Sequence, residues 1–374
     1  MTEDRAEQTT EADAERGGES AAADDDTATD SDTFTAPCVR VAREEGEATR
    51  ERLADAGLLD GDRQIEVVDG EIYVPVTDAA AVPSSDDVVD RATGERDRQT
   101  TPADVLGWDP TYERLGDVVV IDEDDPERAR TVADAITTSD VPCETVLNRA
   151  SKVNGEYRVR EWEVLAGTET ETVHREYGHA FRLDPTEVYF SPRLATERHR
   201  VIEQVTDGER ALDMFAGVGP FAVPMATRGA EVVAVDANPA AVPYLETNAE
   251  RNGVADRVTA IQADVRDVAD GLPEDPRPAV RAGYCDWADR LVANLPHSAD
   301  EFLDTAVALA GDDCVLHYYD IQHEDDPFGP GERAIREAVA ASEADYTVSV
   351  ETEHVVRSYA PHELNVCLDV RLRR

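Results

Sequence analysis

Lysine is almost missing from this sequence: of 36 basic residues, only Lys152 is a lysine, and arginine supplies the rest. Against them stand 82 acids, giving a formal net charge of −46 and a pI near 4.3. The acids run through the whole chain, which excludes one acidic tail on an ordinary protein. A heavily hydrated acidic surface keeps a protein soluble in a cytoplasm at molar salt, and a halophilic source is expected. There the Debye length falls to about 3 Å, so repulsion from a distant polyanion is screened and nucleic acid stays open as a partner. An apolar run of about 18 residues is also lacking, as is a signal peptide, so the chain reads as soluble and cytoplasmic with no membrane partner. Five scattered cysteines show no Cys-x-x-Cys pattern, which argues against a disulfide framework or a zinc site. Residues 1–33 have no aromatic and almost no large aliphatic side chain, and a disordered acidic tail is expected there.

What is present begins near Phe34. Residues 36–41 alternate like a strand, residues 44–56 have helical character closed by Gly57, and residues 64–76 read as a hairpin around Asp69-Gly70. This predicts a small α+β module at 34–77, followed by a polar, proline-containing linker at 78–111. A second α+β module is predicted at 112–190, with strand signals at 117–122, 157–165 and 171–176 and a helix at 126–136. Arg158 and Arg160 share one face of the 157–165 run. They are either a solvated strand face or cations offered to a phosphate or a base. Within 191–374, strands and helices alternate and end on two strands near 346–357 and 365–372. That order predicts an α/β, doubly wound Rossmann-like sheet, mostly parallel, with an antiparallel edge and its ligand at the strand carboxyl ends.

The stretch that identifies a ligand is residues 210–221. An apolar strand, residues 211–215, breaks into Gly217-Val218-Gly219 and then Pro220, which suits the first position of a helix. The next strand ends on Asp236, placed to receive ribose hydroxyls. A dinucleotide pyrophosphate wants a third glycine and free amides at the helix start. Phe221 and Ala222 stand near the place of that glycine, and Pro220 removes an amide. Two further strands end on Asp264 and on Asn294-Leu295-Pro296. An acid there suits the exocyclic amine of adenine, and an asparagine offers donor and acceptor to the group being modified. The pattern predicts S-adenosylmethionine rather than NAD.

Four runs carry a resemblance: His174-Arg175-Glu176-Tyr177-Gly178, residues 188–198 (Val-Tyr-Phe-Ser-Pro-Arg-Leu-Ala-Thr-Glu-Arg), residues 213–221, and Asn294-Leu295-Pro296. With them the chain resembles the archaeal and eukaryotic tRNA (guanine(37)-N1)-methyltransferases from about Phe34 to its end. The resemblance implies three domains, the first docking on the tRNA elbow, and a monomer is expected. By position it implies Asp213, Phe215, Gly217, Gly219, Arg198, Asp236, Ala237, Asp264, Val265 and Asn294 as S-adenosylmethionine contacts. It implies Glu197 as general base, and Tyr189, Asn294 and Pro296 around the guanine. An arginine of the middle domain would hold guanine O6; Arg158 and Arg160 both fit, and Arg158 is preferred.

Guanine N1 carries a proton at neutral pH, so its methylation needs a base for that proton and a cation for charge developing on O6. In-line transfer then depends on positioning, and no metal is required. His174, His297 and His317 are read as structural. Two other readings stay open: a wybutosine-route enzyme on the same tRNA position, either a bifunctional methyltransferase or an aminocarboxypropyl-transferase, and a non-catalytic tRNA-binding protein with a methyltransferase fold.

Overall fold

A computed structural model describes residues 34–96, 99–150 and 160–374. The acidic tail and Arg158 lie outside the described residues. The chain divides into two compact units, residues 1–98 and 99–374.

In the first unit, β1 (Phe34–Ala42), β2 (Glu66–Val68), β3 (Glu71–Pro75) and β4 (Asp87–Thr93) form an antiparallel sheet in the order β2-β3-β1-β4. The predicted hairpin is there: Asp69 and Gly70 both take positive φ, 54° and 85°, as the tight turn between β2 and β3 requires. Helix α1 (Gly46–Asp55) lays Leu53 on Val39, Val74 and Val76, the buried centre of this unit. Strand β4 corrects the sequence reading, which placed residues 78–111 in a linker. Its seven residues include Asp87, Asp90 and Arg91, which hide the alternation, and its pairing partner β1 lies about fifty residues upstream.

The second unit opens with α2 (Pro102–Leu106), β5 (Tyr112–Leu115), β6 (Val118–Ile121), α3 (Pro126–Thr138), β7 (Thr145–Arg149) and β8 (Trp162–Ala166). The strands form a sheet in sequence order, with β6 and β7 parallel and α3 as their crossover. Asp125 caps α3 by accepting from the amides of Glu127 and Arg128, and Pro126 occupies the first turn. The helix buries Ala129, Val132, Ala133 and Ile136 against Val119, Ile121 and Val146.

A hairpin, β9 (Thr172–Glu176) and β10 (His179–Leu183), leads to a short 3-10 turn (Pro192–Leu194) and α4 (Ala195–Ile202). The alternating part then runs β11 (Arg210–Asp213), α5 (Ala222–Thr227), β12 (Glu231–Asp236), α6 (Ala241–Arg251), β13 (Val258–Gln262), α7 (Val265–Val268) and α8 (Pro278–Ala282). It continues with β14 (Ala288–Ala293), α9 (Leu303–Leu309), β15 (Ala310–His323), α10 (Gly329–Ala341), β16 (Thr347–Ala360) and β17 (Glu363–Arg373). Its seven strands are ordered β13-β12-β11-β14-β15-β17-β16, parallel as far as β15 and antiparallel at the β17 and β16 edge. Alternate residues of each inner strand enter two cores. Leu212, Val233 and Leu291 face one, while Ala211, Val232 and Val292 face the other. This is the doubly wound α/β sheet that the sequence predicts, with its carboxyl strand ends gathered around the glycine turn. Among the described residues, no helix is long and apolar enough to cross a membrane.

Candidate active site

Between β11 and α5 the chain turns through Gly217 (φ +52°) and Gly219 (φ +91°). A side chain at Gly219 would put Cβ 2.6 Å from Leu245 Cδ1, so this glycine is needed for space as well as for conformation. A Cβ at Gly217 would meet only the Tyr189 carbonyl oxygen, at 3.8 Å, which brings the 188–198 run against the turn. The Gly217 amide donates to Asp236 Oδ2 at 2.7 Å, and the Asn238 amide to Oδ1 at 2.8 Å. Burial pushes the Asp236 carboxyl up, and these two amides oppose the shift.

Asp213 is the most enclosed acid of the site. Burial pushes its carboxyl up to about 7, with a weaker push from Asp236, while the Phe215 amide opposes it. Its Oδ2 is buried without a hydrogen-bond partner. Such a group asks for a donor the protein does not supply. Phe215 lies half-buried and edge-on to Phe302, ring centroids 5.0 Å apart. Ala237 and Asn294 are also half-buried, and Val265 is buried in the first turn of α7. Asp264 caps α7 through the Arg266 amide and pairs with the Arg266 guanidinium, which holds the carboxyl below its ordinary value. The Pro296 carbonyl accepts from the Ile321 amide at 3.1 Å, extending the β14–β15 pairing beyond the strand end.

The structure separates the remaining candidates. Arg198 is buried and bonded to Glu176, with Nε to Oε1 at 2.7 Å and Nη2 to Oε2 at 2.5 Å, while Nη2 also reaches the Ser191 carbonyl at 3.1 Å. Two of its nitrogens therefore hold the β9–β10 hairpin and the 188–198 run together. Glu197 is buried too. Its Oε1 accepts from Tyr319 Oη and Arg200 Nη2, both at 2.8 Å, and its Oε2 accepts from Arg200 Nε at 2.8 Å and lies 3.2 Å from His354 Nε2. Arg200 in turn grips Asp369, whose Oδ1 lies 2.6 Å from His317 Nδ1. Because Arg290 Nη1 donates to His317 Nε2 at 2.5 Å, the His317 proton sits on Nδ1. Burial also pushes His317 below its ordinary value, toward the neutral ring. His317, Cys367 and Asp369 lie close enough to ligate one ion, but guanidinium groups already take the first and the last. Sequence reasoning missed Tyr319, Arg200, Asp369 and His354, since no local motif ties them to Glu197.

Beside the glycine turn a cleft of about 170 Å³ is lined by Tyr189, Arg160, Trp162, Arg149, Arg193 and Arg357, among others. Arg160 thus reaches the same cleft as Tyr189, whereas Arg158 lies outside the described residues. Burial, with help from Arg149, pushes Arg160 below its ordinary value, against the pull of Tyr189, Asp122 and Glu113. Among the described residues, Arg149 Nε and Arg357 Nε are buried without hydrogen-bond partners. The site therefore joins a carboxylate-lined turn to an arginine-lined cleft.

Comparison with known proteins agrees. The profile of the TRM5/TYW2 methyltransferase domain matches residues 172–349, that of the tRNA methyltransferase 5 N-terminal domain residues 38–83, and that of the TYW2 N-terminal domain residues 102–170. The chain is 36% identical over 343 residues to the tRNA (guanine(37)-N(1))-methyltransferase Trm5b of Pyrococcus abyssi, covering 89% of this chain and 98% of the relative. The crystal structure of that Trm5b superposes with a TM-score of 0.65 at 35% identity, covering 91% of this chain and all of the other. A complex of aTrm5 with tRNALeu gives a TM-score of 0.66 at 28% identity over 90% and 99% of the two chains. A Methanocaldococcus jannaschii tRNA(Phe) (4-demethylwyosine(37)-C(7)) aminocarboxypropyltransferase is 29% identical and covers 70% of this chain and 98% of its own.

Proposed function

Because the chain belongs to the TRM5/TYW2 methyltransferase family, we propose that it transfers the methyl group of S-adenosylmethionine to N1 of guanosine 37 in tRNA. The observation that carries this reading is the likeness to Trm5b along nearly the whole of both chains, first unit included. The aminocarboxypropyltransferase relative is less similar and covers less of this chain, which places that activity second.

The site chemistry fits the cofactor. S-adenosylmethionine bears an ammonium and a sulfonium, and Asp213 Oδ2 is a buried acceptor without a donor. A pyrophosphate at the turn would bring negative charge against the buried Asp213, which disfavours a dinucleotide. Asp236 would take the ribose hydroxyls and Asp264 the adenine amine. Gly217 and Gly219 would let the backbone approach, and Phe215, Ala237 and Val265 would flank the adenine. Asn294 stands where the cofactor and the base would meet. Arg198 would act mainly by fixing Ser191 and Glu176. Bound there, the cofactor supplies an electrophilic methyl group.

The acceptor's chemistry falls to the protein. Arg160 is the described arginine able to meet charge on guanine O6, and Tyr189 and Pro296 would confine the base. Glu197 would take the N1 proton at its carboxylate. RNA is a reasonable partner for the cleft because its arginines include two unpartnered buried nitrogens. The test is nucleoside mass spectrometry of unmodified tRNA incubated with enzyme and S-adenosylmethionine. 1-Methylguanosine is expected with guanosine at position 37 and no product with adenosine there. Equal methylation of both tRNAs, or an aminocarboxypropyl product, refutes the assignment.

A further inference from the structure

Glu197 accepts three hydrogen bonds, two from Arg200 and one from Tyr319, and its Oε2 lies 3.2 Å from His354 Nε2. A carboxylate offers about four lone-pair sites, so one, on Oε2 beside His354, is left to take a proton. Tyr319 is buried and Arg200 mostly so, whereas the His354 side chain is 38% exposed beside a Glu197 that is 3% exposed. His354 is therefore the partner that connects the carboxylate to water. Position supports the link to the reaction. The run from Tyr189 to Arg193 lines the cleft and leads within four residues to Glu197; on β16, Arg357 lines the same cleft three residues beyond His354. The two segments lie against each other, cleft at one end and carboxylate–imidazole pair at the other.

We propose that His354 is the proton relay of this site, a positioning residue that acts through Glu197. The proposal rests on the reading of Glu197 as the base. The N1–H bond of guanine breaks and its electron pair stays on the ring to form the bond to the methyl carbon. The proton passes to Glu197 Oε2 and on to His354 Nε2, and the imidazolium then loses its Nδ1 proton to water. In water an imidazole is a stronger base than a carboxylate. Passing the proton on restores the ion pair of Glu197 with Arg200. The group facing His354 is Glu197 from α4, whose carboxylate also holds Arg200 from α4 and Tyr319 from β15. Cys367 stands at its paired register position on β17.

The experiment uses full-length enzyme under single-turnover conditions, with saturating S-adenosylmethionine and tRNA bearing guanosine 37, across pH 5.5 to 9. His354→Gln and His354→Ala should each slow methyl transfer about tenfold or more. They should also lose the fall in rate toward acid that the relay predicts for the wild type, with tRNA and cofactor affinities unchanged. Added imidazole should restore His354→Ala and leave Glu197→Gln inactive. A wild-type rate and pH profile in His354→Gln overturns the relay, as does a loss explained by weaker tRNA binding. Wild-type turnover in Glu197→Gln would remove the base itself, and is distinguishable because His354→Gln then need not be slow.

Discussion

Gly217 donates its amide to the Asp236 carboxylate at 2.7 Å, so the turn after β11 is closed by the end of β12. The same carboxylate receives the Asn238 amide and fixes the start of the chain toward α6. Asp236 is therefore part of the turn's architecture as well as an acceptor facing the ligand. Hydrogen bonds to a charged group contribute about 1.5–3 kcal/mol each. Asp236→Ala should weaken S-adenosylmethionine binding by about tenfold to a hundredfold in calorimetry, since 1.4 kcal/mol is a factor of ten. An affinity within twofold of wild type would show that the turn holds without this anchor.

Asp213 makes a pH prediction. Its folded carboxyl is pushed up to about 7 by burial, while an unfolded aspartate titrates near 3.9. Between those values the folded state keeps a proton that the unfolded state has lost. Stability therefore falls as pH rises from about 4 to about 7, by roughly 1.4 kcal/mol per unit, and then levels off. Melting of the cofactor-free enzyme at pH 5 and pH 8 should show this fall, and Asp213→Asn should reduce it. Identical pH slopes in the two proteins would mean that Asp213 is ionised in the native state.

Much of this arrangement is legible locally. The glycine turn, the acidic end of β12, the Asp264 cap that follows β13 and the Asn294-Leu295-Pro296 run announce themselves because strand, turn and cap chemistry act over a few residues. Strand β4 does not, because its Asp and Arg residues conceal the alternation and its partner is far along the chain. The environment of Glu197 is hidden for the same reason on a larger scale: Tyr319 is 122 residues away in sequence. Local pattern marks the carboxylate, but only the pairing of β15, β17 and β16 brings Tyr319 and His354 to it.

The Glu176–Arg198 pair is the most enclosed bidentate ion pair among the described residues at the site, with side chains 6% and 3% exposed. Burial pushes the Glu176 carboxyl up, but Arg198 and His174 outweigh it and hold it below its ordinary value. Its contribution is thus present at neutral pH and is lost as pH falls below the ordinary carboxylate range. Glu176→Ala leaves a buried guanidinium uncompensated and should cost about 3–5 kcal/mol, a fall in Tm of roughly 6–20 °C. Replacing both residues with apolar ones should recover much of the loss. A double variant as unstable as Glu176→Ala would argue that the fold needs the pair itself.

Salt should affect tRNA binding less than it does in ordinary basic RNA-binding proteins. Each arginine–phosphate contact releases counterions and steepens the dependence of affinity on salt by about 0.7–0.9 per contact. In a chain with a net charge of −46, the acids around the cleft hold cations of their own. Bringing tRNA against them retains ions and opposes that release. The expected slope of log affinity against log potassium chloride is therefore shallower than about −2, from 0.2 M to 2 M, with binding still measurable at the upper end. Filter binding or fluorescence anisotropy with a labelled tRNA measures it directly. Arg160→Ala should weaken binding and flatten the slope further by removing one contact. A slope of about −5 or steeper, with binding gone at molar salt, would mean that the interface works by ordinary charge attraction and that the acidic surface has no part in it.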